Sequence, residues 1–70
     1  MEEIPIGTAI ARARQRKRLT QAALARHLGV SVNSVGKWEN GTHFPQRHLG
    51  AIEEALGISL HGYESERVAS

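Results

Sequence analysis

Residues 20–41, TQAALARHLGVSVNSVGKWENG, constrain this chain more than any other stretch. Two short helical patterns meet there at a break, Leu28-Gly29-Val30. Thr20 offers a side-chain oxygen to the free N–H groups at the start of the first helix. Gly29 is suited to a left-handed joint between the two, because it carries no Cβ to clash. Ser31 caps the second helix, and Asn40-Gly41 stops it. Two helices of about seven to nine residues with a glycine between them read as a helix-turn-helix.

The apolar spacing says which way each helix faces. Leu24, Ala25, Leu28, Val30, Val35 and Trp38 are the packing residues. Ala25 is small, so the second helix can cross close above the first. On a wheel of about 100° per residue, Val35 and Trp38 turn inward while Asn33, Gly36 and Lys37 turn outward. Val32 sits at the exposed first turn. A helix with a buried back and a polar front suits the major groove of DNA. Trp38 belongs to the core in this reading, since a lone aromatic makes a poor platform for stacking single strands.

Residues 19–41, with their Leu-Thr-Gln, Leu-Ala, Leu-Gly-Val and Trp-Glu-Asn-Gly steps, resemble the Xre/Cro-repressor family of helix-turn-helix DNA-binding domains, which includes the lambdoid phage repressors. The similarity runs without gaps from about Ile6 to Leu60. It implies an all-α fold, a compact bundle of four to five short helices with the helix-turn-helix formed by the second and third. It also implies a sequence-specific transcriptional regulator or repressor of bacterial, phage or plasmid origin. In the family, an arginine five residues before Leu-Thr-Gln pairs with the glutamate of Glu-Asn-Gly. Here those residues are Arg14 and Glu39, and the pair would tie the first helix to the end of the third and aim the guanidinium at a phosphate. By the same resemblance Gln21 braces side chains of the next helix.

Seventy residues make one domain. A chain this short buries only about 60% of its unfolded surface, so its core has little to spare. It contains no cysteine, so neither disulfides nor thiolate metal sites can staple it. The net charge of +2 hides a polarity: residues 12–52 carry eight Lys/Arg and one acid, Glu39, for +7, against −5 for the remainder. A basic segment between acidic ends suits a polyanionic partner. No run of about 18 apolar residues suggests a membrane span, and MEEIPIG lacks a signal layout, so a cytoplasmic, nucleoid-associated protein is the expectation.

In chain order, residues 1–5 read as an arm, 6–64 as the domain and 65–70 as a frayed end or the start of a linker to a further domain or partner. The first helix is expected from Ile6 or Thr8 to Lys17, with Ile6, Ile10 and Ala13 on its inner stripe. Five basic residues in seven, Arg12 to Arg18, read as phosphate contacts, as a solvated face, or as a nuclear-localisation-like peptide. Leu19 anchors the following turn. Gln21, at the first position of the second helix, presents donors to a phosphate. Arg26 reads as solvated.

On the third helix, Val32 to about Glu39, Asn33 can pair with adenine, Lys37 with guanine, and Val32 can meet a thymine methyl. Gly36 weakens the helix yet would let it lie close to the bases. Ser34 is short and better placed for phosphate. Thr42, His43 and the backbone N–H groups of Asn40 and Gly41 are further phosphate candidates. The loop Thr42-His43-Phe44-Pro45 lacks the lysine or arginine that the family often carries there. A fourth helix is expected over Gln46–Leu56, with Gly57 as its stop. Ser59 is expected to cap a short last helix, Leu60–Glu64. Ile58, Leu60 and Tyr63 could make the dimer contact known in phage repressors or close the core.

No nucleophile with a base nearby, paired carboxylates or phosphate loop suggests an enzyme. The four histidines lack cysteine partners and any i, i+4 pair, so neither metal nor cofactor is expected. The partner class is therefore double-stranded DNA, met by a homodimer on a near-palindrome with half-sites about 34 Å apart. The alternative is a protein-interaction or antitoxin-type module built on the same fold.

Overall fold

The structure is a computed structural model and describes residues 4–63. Four α-helices are present: α1 Ile6–Arg16, α2 Gln21–Leu28, α3 Val32–Glu39 and α4 Leu49–Leu56. Single 3-10 turns lie at Gln46–His48 and His61–Tyr63, and there is no strand among the described residues. No described helix is long and apolar enough to cross a membrane. Expectations for residues 1–3 and 64–70 lie outside the described residues.

Local chemistry sets the helix boundaries. The Thr20 hydroxyl oxygen accepts the Ala23 N–H at 3.0 Å and opens α2. Gly29 closes it with φ of 75°, and the Val30 N–H returns to the Ala25 carbonyl at 3.0 Å. The Ser31 hydroxyl oxygen then accepts the Ser34 N–H at 3.2 Å and opens α3. Gly41, at φ of 85°, takes the chain away from α3. The turn after α1 has no glycine. Arg18 adopts φ of 60° there, and the Leu19 N–H bonds the Arg14 carbonyl at 3.1 Å.

The core draws on every helix. Ile6, Ile10 and Ala13 of α1, Leu24 and Ala25 of α2, Val35 and Trp38 of α3, and Ile52 and Leu56 of α4 are buried with Leu60. No polar or charged described residue is buried with them. Buried Ala25 supports the close α2–α3 crossing. Gly7 permits a second close approach: a Cβ there would fall 2.4 Å from the Trp38 carbonyl oxygen and 2.5 Å from that of Glu39. The positive N-terminal end of α1 thus rests on the negative C-terminal end of α3, an arrangement the two helix dipoles favour.

The last third differs from the sequence expectation. The helix expected over Gln46–Leu56 is α-helical only from Leu49. After Pro45 the chain winds more tightly for one turn, which lays the His48 ring against Trp38 with centroids 5.3 Å apart. Leu49 then starts the regular helix and packs on the core. The stretch after Gly57 is fastened by Glu53 and not by Ser59: the Glu53 carboxylate accepts the Leu60 N–H at 2.6 Å. That bond turns Leu60 into the core at 1% exposure, so Leu60 offers nothing to a second copy. Ile58 and Tyr63 are half-buried and lean on the same core.

Candidate nucleic-acid interface

One side of α3 is sealed and the other is open. Val35 and Trp38 are 0% and 5% exposed. Val32, Asn33 and Lys37 are exposed, Val32 at 48%. Between them Gly36 leaves a bare patch, because a Cβ placed there meets nothing within 4 Å. Asn33 and Lys37 are one helical turn apart and present an amide and an ammonium on one face. Neither makes a side-chain hydrogen bond or ion pair within the described residues.

The flank of α3 nearest α2 is held by three side chains. Arg14 donates from Nε to Glu39 Oε2 at 2.7 Å and from Nη2 to Glu39 Oε1 at 3.1 Å. Its Nη1 donates to the Leu19 carbonyl at 2.7 Å. Gln21 Nε2 donates to Glu39 Oε1 at 2.9 Å. The Arg14 and Glu39 side chains are 12% and 9% exposed. The hydrogen bond to Glu39 raises the Arg14 pKa above its usual value, burial opposes this, and the charge of Glu39 adds to the rise. Every guanidinium nitrogen of Arg14 is thus engaged inside the domain, so its first role is to fix the end of α3 against α1. Gln21 joins the start of α2 to the same carboxylate.

Two phosphate expectations meet competing bonds. The Asn40 N–H bonds the Gly36 carbonyl at 3.0 Å, and the Gly41 N–H bonds that of Trp38 at 3.3 Å. These backbone donors close the end of α3. Asn40 Oδ1 accepts both the Thr42 N–H at 2.9 Å and the Thr42 hydroxyl at 2.6 Å, so the Thr42 proton is also committed to the turn. His43 is exposed. Ser34 is half-buried, and its hydroxyl lies 3.1 Å from that of Ser31.

Sequence reasoning passed over two features of this region. Gly7 reads as a weak point in a helix until the α3 carbonyls appear opposite it. Arg47 reads as one more basic residue until the recess it borders is seen, lined by Ser34, Trp38, Phe44, Pro45, Gln46, Arg47 and His48. No local pattern signals either one.

Two capped helices crossing at a left-handed glycine, with the second exposed along one polar face, define a helix-turn-helix domain of the DNA-binding type. Residues 10–62 match the helix-turn-helix model of the Cro/C1 type, and the chain belongs to that family. Among curated proteins it is 41% identical over 61 residues to multiprotein-bridging factor 1 of Debaryomyces hansenii, covering 86% of this chain and 41% of the relative. It is 39% identical over 61 residues to multiprotein-bridging factor 1 of Candida albicans, covering 86% of this chain and 40% of the relative. It is 37% identical over 60 residues to endothelial differentiation-related factor 1 of Rattus norvegicus, covering 84% and 40%. The chain therefore spans about two fifths of the length of these relatives. They come from yeasts and a mammal and give no support to the bacterial, phage or plasmid origin expected above. No solved structure matches the chain.

Proposed function

We propose that this domain binds double-stranded DNA and reads its major groove with α3, as part of a transcriptional regulator. The observation that carries the reading is the face of Asn33, Gly36 and Lys37: two polar groups able to pair with base edges, with no side chain between them to hold the helix off. Val32 adds an apolar contact at the first turn. Gln21 and Ser34 stand on either flank of that face and are the phosphate contacts of this reading, with His43 beyond the end of the helix. Arg14 acts mainly by bracing Glu39. Nothing in this reading needs a second copy of the chain.

The test is selection of bound duplexes from a random pool, followed by Asn33→Ala and Lys37→Ala. Each replacement should cost about 1–3 kcal/mol on the selected sequence at the base it reads, and far less on a random duplex.

The printed name of the yeast relatives, multiprotein-bridging factor, favours a second reading in which the same fold docks to other proteins. The two readings part at the open face of α3. If replacing Asn33 and Lys37 together leaves affinity for selected and random duplexes unchanged, docking is the better account.

A further inference from the structure

The open face of α3 is divided lengthwise. Asn33 and Lys37, one turn apart, form its polar edge. Val32 and Gly36, also one turn apart, form the edge nearer Glu39 and α2. Val32 is the one large apolar side chain left exposed among the described residues. A Cβ placed at Gly36 meets nothing within 4 Å, so the valine stands beside a bare stretch of helix. Beyond them both oxygens of the Glu39 carboxylate are taken. Oε1 accepts from Gln21 and Arg14, and Oε2 accepts from Arg14.

We propose that Val32 and the bare backbone at Gly36 form a notch for the methyl group on C5 of a pyrimidine, so that the domain takes 5-methylcytosine as it takes thymine and disfavours unmethylated cytosine. The inference rests on the DNA-binding reading above and deepens it by naming the ligand of this edge. Three observations converge on it. The C5 methyl is the apolar group that base edges offer in the major groove, so a valine exposed on this face has one kind of partner there. A methyl group is about 4 Å across at van der Waals contact, and the side chain missing at Gly36 leaves that room. A free carboxylate would favour plain cytosine by accepting from its N4 amino group, but Glu39 is committed to Arg14 and Gln21. Thymine and 5-methylcytosine carry the same methyl at the same place, and a valine cannot tell them apart. The polar edge has a partner for the opposite base in either case, Asn33 for adenine and Lys37 for guanine.

The experiment starts from a duplex selected from a random pool and measures affinity by fluorescence anisotropy of a labelled copy. Each thymine is replaced in turn by uracil, which removes the methyl and nothing else. At one position affinity should fall about fourfold, the worth of burying one methyl-sized group. At that position 5-methylcytosine paired with guanine should bind about fourfold more tightly than plain cytosine paired with guanine. Both differences should vanish in Val32→Ala, and in Gly36→Ala, whose new methyl occupies the notch. Val32 is no part of the core, so Val32→Ala should melt close to wild type. Uracil scanning without effect, equal affinity for cytosine and 5-methylcytosine, or a methyl preference that persists unchanged in either variant overturns the notch. The DNA reading then still stands on the losses caused by Asn33→Ala and Lys37→Ala. Wild type that selects no duplex overturns both.

Discussion

Replacing Gly7 by alanine tests the packing of α1 on α3 directly. In an ordinary helix the change stabilises by about 1 kcal/mol, because glycine has more backbone freedom to lose. Here the new Cβ would lie 2.4 Å from the Trp38 oxygen, 2.5 Å from the Glu39 oxygen and 2.8 Å from the Glu39 carbonyl carbon. Comfortable contact needs about 3.5 Å, so the two helices must part by about 1 Å. All three opposing atoms are backbone, and none can swing aside as a side chain would. Overpacking of this kind costs about 1–3 kcal/mol, and the rigid partners place Gly7 at the upper end.

Set against the helix-propensity gain, Gly7→Ala should destabilise by about 2 kcal/mol. For a domain of this size that lowers Tm by about 8–16 °C. Thermal denaturation followed by helical circular dichroism measures it. Gly50→Ala is the control, since a Cβ at that position in α4 meets nothing within 4 Å. It should raise Tm by about 4–8 °C. A Gly7→Ala protein melting at or above wild type would refute the argument that α1 and α3 touch backbone to backbone.

Glu39→Ala removes the acceptor for Arg14 and Gln21 and strands a guanidinium that is only 12% exposed. It should cost about 3 kcal/mol by chemical denaturation. Arg14→Met combined with Glu39→Leu should cost less than Glu39→Ala alone, because no charge is left unpaired. Gly36→Ala should raise stability by up to about 1 kcal/mol and yet weaken binding to a selected duplex. Higher stability with unchanged affinity would mean that α3 does not approach the bases at that point.

The parts of this fold that could be read from sequence are those decided within a few residues. Thr20, Gly29 and Ser31 act on neighbours no more than about four positions away, so their residue types suffice to place the ends of α2 and α3. The inward turn of Val35 and Trp38 and the outward turn of Asn33 and Lys37 follow from helical periodicity alone. Arg14 and Glu39 are 25 positions apart, and only resemblance to a family joined them beforehand. The participation of Leu19 and the sharing of Glu39 with Gln21 needed coordinates.

Sequence thus determined α2 and α3, their caps and the face that α3 turns outward, because backbone hydrogen bonding and side-chain period are local. Tertiary structure alone decided what those pieces meet. It set Gly7 against the Trp38 and Glu39 carbonyls of α3. It used Glu53 to fold Leu60 inward, and it drew Ser34 and Arg47 to the lining of one recess. Each of these depends on two segments brought together through space, and a carbonyl or a carboxylate at long sequence separation leaves no periodic trace in the chain that meets it.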